Sequence, residues 1–188
     1  MKAIFLDKNG ALVDDLGEHA PPRRLLLRSG AGAALRLLAQ LDYRFVVVSD
    51  QAGIAHGQVN EQAMDPVAYR LSDLLFRERL DLEGFYFCPH DPAGSVARHA
   101  VACFCRKPQP GLLLKAAGEH AIDLRASWMI GASLHDVEAG NRAGCRTLLI
   151  DNGHETEWRL GPRRVPTRIV PDLYAAALMI ASEDDARQ

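Results

Sequence analysis

Apolar and polar positions alternate in blocks along the chain. Short β-rich apolar runs fall at 3–6, 45–48, 84–87, 128–130 and 147–150, with a shorter, more polar one at 168–170. Within each run the apolar residues are continuous, the pattern of strands buried on both faces. Between them lie stretches with helical spacing at 32–41, 60–80, 110–120, 135–143 and 172–181. Leu35, Leu38 and Leu41 share one face of the first. Pro110 opens the third, where its missing N–H costs little. Strand–helix–strand alternation predicts an α/β fold: a three-layer, Rossmann-like parallel sheet with helices on both faces. The right-handed crossover rule narrows its topology. No repeat, low-complexity tract or linker divides the chain, so one domain is expected over 1–182, followed by a polar tail at 183–188.

Composition supports a packed globular domain. Of 188 residues, 48% are apolar and 24% charged, near the ordinary values for such a domain. A net charge of −2 gives no general surface for nucleic acid, though a local basic pocket fits that total. The apolar start, Ala3 to Leu6, meets Asp7 too soon for a signal segment. No stretch approaches the roughly 18 apolar residues of a membrane span. A cytoplasmic, monomeric protein with no membrane partner is expected. Three of the four cysteines lie within 18 residues. In a reducing compartment that clustering points to metal or redox chemistry rather than disulfides.

In open α/β sheets, ligands bind beyond the carboxyl ends of the strands. There the first run ends in Asp7, the second in Ser49-Asp50, and the fourth in Gly131-Ala132-Ser133, with Asp136 just beyond. Arg106-Lys107-Pro108 precedes a helix on the same edge. Carboxylates, a hydroxyl and a lysine together suit phosphoryl transfer. An aspartate can attack phosphorus, a hydroxyl and an ammonium can neutralise phosphate oxygens, and carboxylates can hold a hard cation. Taken singly, Asp7 also reads as a turn residue, Ser49 as a cap and Asp136 as a first-turn helix carboxylate. Cys88-x-His90, followed by Cys103-x-Cys105, pairs ligands at i and i+2, which point the same way on extended chain. Three thiolates and an imidazole form a closed, structural zinc site. The other reading is a thiol redox pair, Cys103 and Cys105, which has no need of the adjacent Cys88 and His90. Cys145 stands alone and reads as core.

These stretches resemble the haloacid dehalogenase-like phosphatases: Phe5-Leu6-Asp7-Lys8-Asn9-Gly10, Val48-Ser49, Lys107, and Gly131-Ala132-Ser133-Leu134-His135-Asp136. The segment from Val47 to Gly57, the Cys88-Pro89-His90 and Cys103-Phe104-Cys105 loop, and Cys145 to Ile150 are similar to a capless, zinc-loop branch. That branch contains heptose bisphosphate and histidinol-phosphate phosphatases. The resemblance covers roughly residues 1–155. It implies a phosphatase of a small phosphorylated metabolite that forms an aspartyl-phosphate at Asp7. Ser49, Asp50, Arg106 and Lys107 would bind phosphate or substrate, with Lys107 also balancing charge. Structural zinc would sit on Cys88, His90, Cys103 and Cys105. Magnesium would sit on Asp7, the backbone carbonyl of Asn9, and Asp136.

The chain departs from the pattern where the chemistry is most demanding. The family's general acid, two residues after the nucleophile, is here Asn9, whose amide cannot exchange a proton with a leaving alkoxide. Removing such an acid typically costs about 10²–10⁴ in rate. The usual metal-binding aspartate after Gly131 is Ala132. Ala11 and His56 replace a usual threonine and arginine. Two functions are therefore expected to compete: a weakened magnesium-dependent phosphatase, and a phosphatase-like protein that binds a phospho-ligand without turning it over. His135, beside Asp136, is a candidate to supply a proton in place of Asn9. Of the remaining histidines (His19, His56, His99, His120, His154), none has ligand spacing. Arg159, Arg163 and Arg164 read as a solvated face, or as a contact for an anionic substrate or partner.

Overall fold

The computed structural model describes residues 1–17 and 20–186, so His19 lies outside the described residues. Six strands form one fully parallel sheet: β1 (Lys2–Asp7), β2 (Tyr43–Asp50), β3 (Leu82–Cys88), β4 (Trp128–Gly131), β5 (Arg146–Ile150) and β6 (Arg168–Val170). Their order is β3-β2-β1-β4-β5-β6. The chain therefore runs outward one way from β1 and returns to lay β4 on its other side. The switch between β1 and β4 opens a crevice at their carboxyl ends.

Side-chain alternation along β1 builds two cores. Ile4 and Leu6 face helices α1 (Ala31–Gln40), α3 (Met64–Arg77) and α6 (Leu173–Asp185), against residues such as Leu35, Leu38, Leu71, Leu75 and Ile180. Ala3 and Phe5 face the other way, into a core built with Leu112, Leu113 and Ala116 of α4 (Gly111–His120) and Ala139 of α5 (Leu134–Ala143). Truncating a fully buried leucine in either layer should cost about 2–5 kcal/mol. One further helix, α2 (Ala52–Ala55), is a single turn after β2.

Three expectations need correction. The periodicity over 60–80 is not one helix. Asn60 caps a 3-10 turn at Glu61–Ala63 before α3 begins, and the chain leaves α3 through Arg79, at φ 62°. β3 is an edge strand and is half-buried over most of its length, not covered on both faces. The tail boundary at 182 is too early. Helix α6 continues through Asp185, because Asp184 accepts hydrogen bonds from Lys2 and Tyr43. No described helix is long and apolar enough to cross a membrane.

Candidate active site

Asp7 is the last residue of β1, and the chain turns sharply after it. Val13 N–H donates to the Lys8 carbonyl and Gly10 N–H to the Val13 carbonyl, both at 2.9 Å. Gly10 sits at φ +80°, and a Cβ there would press on Ala132 and His154; only glycine meets both demands. On the neighbouring strand, β4 ends at Gly131 and Ser133 caps α5. The Ser133 side chain accepts from the Asp136 N–H and the Asp136 carboxylate accepts from Ser133 N–H, a reciprocal capping box. Gly131 has no side chain because the Asp136 carboxylate occupies that space.

Lys107 reaches this point from the connection between β3 and α4. Its ammonium donates to Asp7 Oδ1 at 2.6 Å and to Asp136 Oδ1 at 2.5 Å, with all three side chains buried. Its own N–H donates to Asp50 Oδ1 at 3.2 Å. One ammonium thus faces three carboxylates. Desolvation works to lower the Lys107 pKa, but Asp136, Asp7 and Asp50 outweigh it and hold the lysine charged. Burial and the Asp136 charge push Asp7 up to about 7, against the pull of Lys107. Burial likewise raises Asp50, whose place beside an expected phosphate is explained by its grip on the Lys107 backbone.

The sequence-predicted residues separate here. Asp7, Asn9, Ser49, Asp50, Lys107, Asp136 and His135 line one cavity of about 160 Å³. The buried Ser49 hydroxyl accepts from Gln51 at 2.7 Å. Arg106 is not brought to the cavity. Its guanidinium donates to the His90 carbonyl and to Asp91, bracing the cysteine loop instead. His56 lies 3.4 Å from the same Asp91. The Asn9 amide turns outward to Asp15. Ser133 and His154 also line the cavity and had no role assigned from sequence. Ser-x-x-Asp ahead of a helix is a readable capping signal, whereas His154 lies in a loop with no motif.

The cavity's charge fits a divalent cation better than its donors do. Three carboxylates share one ammonium, an excess of acidic groups that a divalent cation would offset. Asp7 keeps one oxygen outside its bond to Lys107, and the Asn9 carbonyl lies nearby in sequence. Asp136, expected as a magnesium ligand, has both oxygens engaged: Oδ1 by Lys107, and Oδ2 by Ala132 N–H, Ser133 N–H and the Ser133 hydroxyl. As placed, it seats the lysine, and position 132 offers only a methyl group.

The cysteine loop is more complete. One donor atom each from Cys88, His90, Cys103 and Cys105 lies within 4.8 Å of the others. Cys105 Sγ is 3.0 Å from Cys88 and 3.3 Å from Cys103, and His90 Nδ1 is 3.3 Å from Cys105. Burial and the neighbouring sulfurs raise Cys88. At Cys103 burial also pushes upward, but hydrogen bonds from Cys105 and the Arg106 N–H outweigh it and lower the thiol. Three sulfurs and one imidazole nitrogen converging on a point fit a tetrahedral zinc ion. Cys145 is buried apart from them.

Comparison with known proteins gives a consistent picture. Residues 104–176 match a family model described as HAD-hyrolase-like. The chain is 37% identical over 148 residues to a D-glycero-beta-D-manno-heptose-1,7-bisphosphate 7-phosphatase of Yersinia pestis, covering 79% of each. It is 31% identical over 182 residues to a D-glycero-D-manno-heptose-1,7-bisphosphate 7-phosphatase of Chlorobaculum tepidum, covering 93% of this chain and 92% of the relative. A D,D-heptose 1,7-bisphosphate phosphatase structure from B. bronchiseptica, complexed with magnesium and phosphate, superposes with a TM-score of 0.77 at 26% identity, over 97% of this chain and 99% of that one. The parallel sheet, the Asp7–Lys107–Asp136 cluster at its switch point and the cysteine loop thus sit on a sequence that belongs to the haloacid dehalogenase-like hydrolase family.

Proposed function

We propose that the protein is a phosphomonoester hydrolase acting on a phosphorylated sugar of the heptose bisphosphate kind, with chemistry slower than its relatives'. The observation that carries this is the buried Asp7–Lys107–Asp136 triad in a cavity sized for a phosphoryl group. In this reading an Asp7 carboxylate oxygen attacks phosphorus and the bond from phosphorus to the sugar oxygen breaks. Lys107 and the Ser49 hydroxyl hold the phosphoryl oxygens. Water then attacks the aspartyl-phosphate, releasing inorganic phosphate and restoring Asp7. The leaving oxygen needs a proton that the Asn9 amide cannot give. The imidazoles of His135 and His154, which line the same cavity, are the side chains that would supply it in this reading.

Magnesium, where bound, would be held by Asp7 and the Asn9 carbonyl, and would offset the negative charge that nucleophile and phosphate bring together. Zinc on Cys88, His90, Cys103 and Cys105 would be structural. The histidine within the cluster favours that reading over a redox pair. A second functional reading, binding without turnover, is favoured by Asn9 and Ala132. Steady-state assays with heptose 1,7-bisphosphate and with 4-nitrophenyl phosphate, with and without magnesium, separate the two. Magnesium-dependent phosphate release that disappears in Asp7→Asn supports the enzyme. Tight phosphate binding with no release by the unmodified chain supports the binder.

A further inference from the structure

Glutamine is ordinarily a surface residue, yet Gln51 is only 2% exposed. It follows β2 directly, two residues after Ser49, so on near-extended chain the two side chains leave on the same side. Its backbone is anchored on both sides. The Gln51 N–H donates to the Cys88 carbonyl at the end of β3, at 2.8 Å, and the Gln51 carbonyl accepts from the Ile54 N–H in α2, at 3.1 Å. From that fixed position the side-chain amide donates from Nε2 to the Ser49 hydroxyl oxygen at 2.7 Å.

The direction of that bond matters to the cavity. A serine hydroxyl offers one O–H donor and two acceptor lone pairs. The Gln51 amide fills a lone pair and leaves the proton unspent. The Asp50 carbonyl, 3.5 Å away, is too distant to hold that proton firmly. A phosphoryl dianion carries acceptors only, and the side chains lining the cavity have few donors to spare. Two of the three Lys107 N–H groups go to Asp7 and Asp136. The Ser133 hydroxyl donates to Asp136, and the Asn9 amide is turned to Asp15. Besides the imidazoles of His135 and His154, that leaves the third Lys107 N–H and the Ser49 hydroxyl.

We propose that Gln51 is a positioning residue for the phosphoryl group: its amide occupies the Ser49 oxygen and so leaves the Ser49 proton to be donated into the cavity. The proposal deepens the phosphatase reading above and rests on it for the group bound at Asp7. The accepted N–H also polarises the hydroxyl and makes it a stronger donor. A carboxylate at position 51 would reverse the bond, taking the Ser49 proton for itself and presenting the cavity with a lone pair.

The test is calorimetric binding of inorganic phosphate to the unmodified chain, to Gln51→Met and to Gln51→Glu, each repeated with Ser49→Ala. Gln51→Met removes the donor while keeping the length of the side chain, and affinity should fall about threefold or more, the scale of a neutral hydrogen bond. Gln51→Glu should cost about tenfold or more, the scale of a hydrogen bond to a charged group, because Ser49 then donates away from phosphate. With Ser49→Ala the loss in Gln51→Met should vanish, and the loss in Gln51→Glu should shrink to charge repulsion alone. A purely structural role for Gln51 would instead weaken binding by the same factor in both backgrounds. That result, unchanged affinity in both variants, or an unmodified chain that binds no phosphate, overturns the proposal. Should one variant fail to fold, the other decides, since the two differ in charge and polarity. Turnover of 4-nitrophenyl phosphate separates this from the phosphatase reading. Binding that depends on Gln51 through Ser49, in a chain that hydrolyses nothing, keeps the role and removes the phosphatase reading. Turnover with independent losses at the two positions keeps the phosphatase reading and removes the role.

Discussion

Restoring carboxylates at Asn9 and Ala132 tests whether these two positions limit the proposed chemistry. Ala132 is fully buried, and its N–H donates to Asp136. Ala132→Asp places a further carboxylate beside Asp7 and Asp136, its nearest acidic neighbours, with Lys107 the cation that offsets them. A like-charge pair about 5 Å apart, at an effective dielectric near 20, costs about 3 kcal/mol. Two repulsions less one attraction leave roughly that amount. For a chain of this size it lowers Tm by about 6–12 °C. A divalent cation bound at the new carboxylate returns about 2.7 kcal/mol once its concentration is a hundredfold over Kd. Ala132→Asp should therefore melt early in EDTA and recover in magnesium, whereas the unmodified chain should shift much less. Asn9→Asp restores an acid worth about 10²–10⁴ in rate. The double variant should show the largest gain in magnesium-dependent kcat/KM on 4-nitrophenyl phosphate, and the two effects should not add simply, since they meet at one site. Equal Tm values for Ala132→Asp in EDTA and in magnesium would refute the electrostatic argument. Fast turnover by the unmodified chain would refute the claim that these positions limit it.

Three further outcomes are expected. Metal analysis should find about one zinc per chain; a chelator or Cys103→Ser should remove it and lower Tm, and metal-free protein of unchanged Tm would sink the site. Lys107→Met leaves buried Asp7 and Asp136 without their shared partner. It should destabilise by about 3–5 kcal/mol in denaturant titration and abolish turnover; a neutral effect on stability would show that the cluster reorganises freely. Glu138 is held below the usual glutamate range by Arg164 and Arg142, against burial. Its stabilising contribution is thus present above pH about 4.5 and lost as pH falls through its folded pKa. Glu138→Gln should lower Tm at pH 7 and converge with the unmodified chain as pH falls through the folded pKa of Glu138, and a constant Tm difference throughout the acid titration would contradict the pairing.

All six strand positions were legible because continuous apolar runs have few alternatives to buried strands. What misled was context. Residues 60–80 carry one helical periodicity, yet Asn60 and the left-handed Arg79 cut it at both ends. The polar run after 182 has the composition of a tail but stays helical, because Asp184 finds Lys2 and Tyr43 nearly the whole chain away. Pairings at that separation leave no local trace.

The site divides the same way. Asp7, Ser49 and Lys107 meet in one cavity, as expected from a parallel sheet that delivers strand ends to one edge. Arg106 was misplaced because sequence fixes its backbone neighbourhood and not its rotamer; Asp91, on the same loop, offered it a nearer partner than the cavity. The loop 151–164 gave least to sequence, since its arginines have the composition of a solvated face. Its role depends on latches from residues that look ordinary in isolation: Asn152 to Gly10, Leu134 to Glu155, Asn141 to Arg163. Those latches hold the basic stretch against α5, where His135 also lines the cavity at Asp7. A change that cuts them while leaving every arginine in place, such as Asn141→Ala with Asn152→Ala, should therefore speed amide hydrogen exchange over 151–164 while the six-stranded sheet stays protected. If exchange over that loop is unchanged in the variant, the positioning argued from these bonds is wrong.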